Sequence, residues 1–238
     1  MRRVLCVWFP NWPIQRQAAL RPELERAAVV LHAERGSRGS YVVTCSEAAA
    51  HRGVRPGIPL AEAAALLGER TDRNGQSAGA PALRPHEPRA DREALTELAV
   101  VCQRFTPRVA LEAEDQPESL LLDIAGCEHL FGGDAPLAEE VAAELEARGY
   151  RPRVAIADTP GAAWALAHYG RRGDVAGRGT ILPAGAPLPT LLSSLPAVAL
   201  RLPPDLLHKL RRLGLATIGA ILRLPRETLP ARFGPGLL

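Results

Sequence analysis

The sequence predicts a mixed α+β fold followed by a small all-helical piece. Short apolar and β-branched runs alternate with amphipathic stretches in the order β-α-β-β-α-β, with insertions, over the first three quarters of the chain. From Pro187 onward every apolar stretch is short, helix-like and split by Pro or Gly. Interleaved strands and helices followed by helices alone point to an α+β domain with a helical satellite.

The first strand is the apolar run from Arg3 to Phe9, stopped by Pro10. Trp12 to Leu20 reads as a helix with Pro13 in its first turn, where a missing N–H costs nothing. The β-branched runs Ala27 to His32 and Tyr41 to Thr44 flank Glu34–Gly39, a hairpin-like connection. Its Gly36-Ser37-Arg38-Gly39 core superficially resembles a phosphate cradle, but the Lys-Ser/Thr ending of a P-loop is missing and a turn explains it. Ser46 to His51 is a short helix ended near Gly53, and Leu60 to Leu67 is a helix entered through Gly57-Ile58-Pro59.

Gly68 to Pro88, rich in Gly, Pro, Asn, Ser and Ala, has no apolar period and reads as one long loop. Asp91 to Phe105 is an amphipathic helix with Leu95, Leu98, Ala99 and Cys102 on one face and Asp91 as its cap. Arg108 to Ala113 and Glu118 to Ile124 read as a hairpin joined by Glu114-Asp115-Gln116-Pro117. After a loop from Gly126 to Gly133 come a helix from Pro136 to Arg148 and a strand from Arg153 to Ala157. Thr159-Pro160 opens another helix, and Gly179 to Pro183 is a short edge strand.

Composition narrows the function classes. With 47% hydrophobic and 23% charged residues among 238, the balance is that of an ordinary globular protein with a sizeable core. No run approaches the roughly 18 apolar residues of a membrane helix, and the start is too short for a signal-peptide core, so a cytoplasmic protein is expected. Cys6, Cys45, Cys102 and Cys127 are scattered without a C-x-x-C pair, which speaks for buried free thiols over a zinc site or a disulfide framework. Cys127-Glu128-His129 lacks an orienting group and lies too close in sequence for a nucleophile-and-base pair.

Net charge is only +3, so its distribution matters more than its total. From Arg201 onward the chain carries Arg201, Lys209, Arg211, Arg212, Arg223, Arg226 and Arg232 against Asp205 and Glu227. The segment Leu111–Glu118 is acidic. Phosphate contacts are therefore expected in the tail.

Four pieces, in register over nearly the whole chain, resemble the Y-family translesion DNA polymerases. Glu47-Ala48 followed by Gly53-Val54-Arg55-Pro56-Gly57-Ile58-Pro59 is similar to their fingers segment, in which "GV-x-x-GMP" follows "S-Y-E-A-R". Leu122-Asp123-Ile124-Ala125-Gly126 with Leu130-Phe131-Gly132 is similar to the "LDVTG…LFG" after their catalytic strand, and Ala155-Ile156-Ala157 to the next palm strand. Leu210-Arg211-Arg212-Leu213-Gly214-Leu215-Ala216-Thr217-Ile218-Gly219 is similar to the thumb's "L-x-x-LGI-x-TIG". Trp8-Phe9-Pro10, Gly126–Gly133 and Asp158–Ala165 most resemble the ImuB-type accessories of bacterial mutasome cassettes.

The resemblance implies a ferredoxin-like palm with a small fingers insertion, then a helix-hairpin-helix-like thumb. It places palm at 1–26 and 81–185, fingers at 27–80 and thumb at 186–238, with the little finger of the family absent from this sequence. It also implies a metal-dependent nucleotidyl transfer site, and here the sequence departs from the pattern. The first catalytic Asp falls on Trp8, a second motif Asp on Pro10, and the Asp-Glu pair on Glu118 and Ser119. Asp123 cannot replace them: an odd five-residue step from Glu118 turns it to the other sheet face, and it lies about 13 Å along the strand from Ser119. Its expected role is to cap the Gly126 turn. The triphosphate-binding Tyr and Arg fall on Ser46 and Ala49, and the aromatic sugar gate falls on Pro13.

With metal ligands, phosphate ligands and gate altered together, the expectation is a protein without catalytic activity and without cofactors. By resemblance it serves induced mutagenesis as a scaffold for a sliding clamp, a RecA-like ImuA-type partner and an error-prone replicative-type polymerase. Lys209, Arg211, Arg212 and Arg223 are the expected contacts to DNA, weak and non-specific, because the thumb hairpin glycines fall on Arg201 to Pro203 and Pro has no N–H to offer a phosphate.

Overall fold

The computed structural model describes residues 3–36, 39–68, 81–171, 175, 177, 179–229 and 233. Its strands are β1 (Val4–Trp8), β2 (Val29–Glu34), β3 (Ser40–Cys45), β4 (Ala82–Pro85), β5 (Val109–Leu111), β6 (Ser119–Asp123), β7 (Arg153–Ala157) and β8 (Gly179–Ile181). Its helices are α1 (Trp12–Leu20), α2 (Glu47–Ala50), α3 (Leu60–Leu67), α4 (Pro88–Cys102), α5 (Asp134–Ala147), α6 (Pro160–Tyr169), α7 (Leu188–Leu191), α8 (Pro204–Arg212) and α9 (Ile218–Leu222). The expected α+β order followed by helices alone is what forms.

Strand order in the larger sheet is β5-β6-β1-β7-β8, antiparallel except for the β7–β8 pair. The centre of the sheet is thus the first strand of the chain. Its alternation decides everything above and below it. Leu5, Val7 and Phe9 join Leu120, Leu122, Val154 and Ile156 against Leu95, Leu98 and Cys102 of α4 and Leu137, Val141 and Leu145 of α5. Val4 and Cys6 point the other way, with Ala155 and Ala157, onto α6 and on to Leu182, Leu195 and Ile218. That second face is lined by small side chains, and four of the ten residues of α6 are alanine, so helix and sheet approach closely until the large rings of Trp8 and Trp164 fill one end.

The smaller sheet, β3-β2-β4, sits over a core of Ala28, Val30, Val42, Ala49, Val54, Ala63 and Leu67. Its edge strand corrects the expected loop from Gly68 to Pro88. Residues 82–85 pair parallel to β2, from Val29↔Ala82 to His32↔Pro85. A four-residue strand ending in Pro is too short for a readable period, and Pro is tolerated at such an edge. Residues 69–80 of that expected loop, and Ser37 and Arg38 of the β2–β3 turn, lie outside the described residues.

Two smaller expectations are also corrected. Helix α4 starts at Pro88, three residues before Asp91, with Glu87 at the cap position. Asp91 does not cap it, because its carboxylate is buried and pairs with Arg16 of α1. The stretch from Gly126 to Gly133 is not all loop, since Glu128–Phe131 forms a 3-10 turn. Asp123 does serve the Gly126 turn: its Oδ1 accepts from Ala125 N at 3.2 Å, and Gly126 takes the left-handed backbone (φ 81°) that the turn needs. Cys6, Cys45 and Cys102 are buried free thiols and Cys127 is half-buried. Among the described residues no helix is long and apolar enough to cross a membrane.

Candidate functional site

The positions on which the family's catalytic carboxylates fall, Trp8, Glu118 and Ser119, lie side by side. Trp8, the last residue of β1, lies between Ser119 of β6 and Arg153 of β7 in the strand register. Glu118 stands beside it: Phe9 N donates to Glu118 O at 2.9 Å, and Trp8 Nε1 donates to Glu118 Oε2 at 3.3 Å. Ser119 is fully buried in the sheet. Burial raises the Glu118 carboxyl above its ordinary value, the indole N–H pulls it back, and the charge of Glu112 adds to the rise.

Trp8 is half-buried and begins a column of rings. His168 stacks on Trp8 with centroids 4.2 Å apart, and Trp164, one helical turn before it, stacks on the other face of the imidazole at 3.9 Å. A cation closes each end. The Arg153 guanidinium lies 5.4 Å from the Trp8 ring and the Arg201 guanidinium 4.9 Å from the Trp164 ring. Arg153 also donates to His168 O at 3.1 Å and Gly170 O at 2.7 Å, which fixes it to the end of α6. Glu112 completes the other end: its Oε1 accepts from Trp164 Nε1 at 2.7 Å and its Oε2 from Glu118 N at 3.3 Å.

Burial between two indoles pushes the His168 imidazole down to about 4; the hydrogen bond to Trp164 O opposes that shift, and the positive charges of Arg153 and Arg201 reinforce it. The ring is neutral at pH 7, with Nδ1–H donating to Trp164 O. Between pH ~6.5 and ~4 the unfolded chain therefore binds this proton and the folded one does not. Stability present above pH ~6.5 is lost as pH falls through that window, by ~1–2 kcal/mol after discounting for the solvent that reaches the ring. The raised Glu118 carboxyl acts with the opposite sign, adding stability as pH falls through its own folded-state value. A His168→Phe variant keeps the stack and removes the titration, so its melting temperature is expected to vary less than the parent's between pH 4 and 6.5. Equal slopes would contradict the assignment.

The remaining expected positions are held by structure. Ser46 caps α2, and its hydroxyl accepts from Val29 N at 2.9 Å and donates to Ala27 O at 3.0 Å. Ala49 is fully buried under the smaller sheet. Pro13 sits in the first turn of α1 beside a cavity of about 20 Å³ shared with Trp12, His86, Asp91 and Glu118. Between α1, α2 and the chain at Tyr150–Arg153 lies an open cleft of about 1050 Å³. Ser46 is on its wall, and Arg153 is committed to the end of α6. Lys209, Arg211 and Arg212 are exposed at the end of α8, and Arg223 is exposed just after α9.

Sequence reasoning missed Arg153, Trp164, His168 and Glu112, and named Arg201 only among the basic residues of the tail. The i, i+4 spacing of Trp164 and His168 was the available signal; Arg153, Arg201 and Glu112 are joined to them only by the fold.

Residues 7–168 match the impB/mucB/samB family. The chain belongs to that family. Within the impB/mucB/samB family it is 44% identical over 149 residues to Protein ImuB of Caulobacter vibrioides, an alignment covering 63% of this chain and 30% of that protein. Its fold is that of solved Y-family polymerases. It matches DinB from Sulfolobus solfataricus with a TM-score of 0.71 at 18% identity, over 98% of this chain and 63% of that one. The insertion ternary complex of Dbh DNA polymerase matches with a TM-score of 0.70 at 18% identity, again over 98% and 63%. The chain thus spans less than two thirds of the length of these impB/mucB/samB relatives and polymerases.

Proposed function

We propose that this chain is a catalytically silent, polymerase-like protein of DNA damage tolerance, acting as a scaffold in induced mutagenesis. The observation that carries the reading is the ring column: an indole closes the end of the central strand, where a nucleotidyl transferase of this fold needs a metal-binding carboxylate. Two divalent ions require several hard oxygen ligands a few ångström apart. Trp8, Pro10 and Ser119 supply no charge, the Glu118 carboxylate faces the Trp8 N–H, and the neighbouring Glu112 carboxylate is already taken by Trp164 Nε1, Glu118 N and Arg201. This donor set does not fit a two-ion centre, and no chemical step is routed through one.

The domain reading assigns residues 1–26 and 81–185 to a palm, 27–80 to fingers and 186–238 to a helix-hairpin-helix-like thumb. The two sheets and the helical piece support that division. Likeness to ImuB supports a sliding clamp, a RecA-like ImuA-type protein and an error-prone replicative-type polymerase as partners, in the cytoplasm. Lys209, Arg211, Arg212 and Arg223 would give weak, non-specific DNA contact, because exposed cations contribute a salt-sensitive attraction without base readout.

Primer extension on a defined template, with Mg²⁺ and with Mn²⁺, tests the reading. The expected result is no template-directed incorporation, with parent and Glu118→Ala alike. Incorporation that disappears in Glu118→Ala would establish an active error-prone polymerase using Glu118 with unusual ligands.

A further inference from the structure

Arg201 holds a left-handed backbone (φ 55°), a region that residues with side chains rarely occupy and that persists only when surrounding contacts enforce it. Its guanidinium meets three groups: the Trp164 face, the Glu112 carboxylate at 3.6 Å and the Glu114 carboxylate. The other described cations of the segment differ in their partners: among the described residues no carboxylate pairs with Lys209, Arg211, Arg212, Arg223 or Arg226. Among the described cations of the basic segment, Arg201 is therefore the one whose availability depends on an internal anion.

The two carboxylates that hold it are unequal. Glu112 is buried and bound to Trp164 Nε1 and Glu118 N, so it is a fixed counter-ion. Glu114 sits on the hairpin between β5 and β6 with its side chain 54% exposed. An exposed carboxylate pair of this kind is weakly held. A phosphate diester can displace it, offering two acceptor oxygens to the planar guanidinium.

We propose that Arg201 is a phosphate-binding side chain for a DNA backbone and that Glu114 masks it in the free protein. Trp164 and Glu112 hold the guanidinium, Glu114 accepts from the same terminal nitrogen that faces Glu112, and an arriving phosphate takes the place of Glu114. The inference rests on the DNA contact read from the basic segment, and it adds a conditional site to the four side chains named there.

The test is anisotropy titration of a labelled primer–template DNA over a salt series, with the full chain as parent. Glu114→Gln is compared with Asp115→Asn, which removes the same charge from the same hairpin at an exposed residue that pairs with no described cation. Glu114→Gln should bind about threefold tighter than Asp115→Asn, the size of a weak exposed pair. Its log–log salt slope should steepen by roughly 0.9, one phosphate contact. Adding Arg201→Gln to Glu114→Gln should abolish that gain. Equal affinities for Glu114→Gln and Asp115→Asn, or a gain that survives Arg201→Gln, would overturn the masking. A Lys209→Glu/Arg212→Glu variant separates the two readings. If it loses binding while Glu114→Gln and Asp115→Asn stay equal, the masking alone fails; if even the parent does not bind, both fail.

Discussion

Trp8→Asp is expected to destabilise the protein by about 3 kcal/mol, the scale of losing a packed Trp side chain, and to lower its melting temperature by roughly 6–12 °C. The substitution removes the stack on His168, the contact with Arg153 and the donor to Glu118. It also sets a second carboxylate beside Glu118, whose own ionisation burial already disfavours. Trp8→Phe keeps a ring against the imidazole and should cost far less. The contrast is diagnostic, because at a metal-competent site an Asp in this position would be stabilised by Mg²⁺. Here saturating Mg²⁺ should leave the Trp8→Asp melting curve where it is. Calorimetry of the three proteins with and without Mg²⁺ checks both statements, and an unchanged melting temperature for Trp8→Asp would show that the indole is not structural.

Asp91→Ala should cost about as much, on the order of 3–5 kcal/mol, for a different reason. Asp91 and Arg16 are both buried, with Arg16 Nε donating to Asp91 Oδ1 at 2.5 Å. His86 Nε2 lies 3.2 Å from the other carboxylate oxygen. Arg16 keeps only the half-exposed Glu87 when Asp91 is removed, so a cation is left under-paired inside the fold. Trp12 Nε1 donates to the Asp91 backbone oxygen, a contact the substitution spares. Replacing both partners, as in Arg16→Met with Asp91→Leu, should recover most of the loss, since it removes the buried charges together. Urea denaturation of the single and double variants measures this, and a double variant no more stable than Asp91→Ala would refute it.

The architecture was readable wherever one local rule dominated. The strand expected over Arg3–Phe9, found at Val4–Trp8, and the helices opened by Pro13 and by Thr159-Pro160 are decided by neighbours in sequence. Reading failed where a partner distant in sequence decides. Residues 82–85 are a strand only because β2 offers them an edge. Asp91 looks like a cap until Arg16, on another helix, claims its carboxylate. The site divides in the same way. Trp8, Glu118 and Ser119 were identified through motif positions, and strand pairing does bring them together. The column built on them joins residues from β1, β7, α6 and the turn before α8, and a sequence carries no sign of such stacking beyond a Trp and a His one helical turn apart.

The central place of β1 has a consequence for synthesis. Its two neighbours in the sheet are β6 and β7, whose pairing runs to Asp123 and Ala157. The central strand of the larger sheet is therefore made well before either of its neighbours. At about 5–20 residues per second it waits roughly 7–30 s for its second neighbour to be translated. The smaller sheet can form part of its core in that interval, while Val4–Trp8 stays an open edge with affinity for any other strand. Nascent chains stalled before β7 are accordingly the species of this protein most prone to aggregate and most in need of a chaperone.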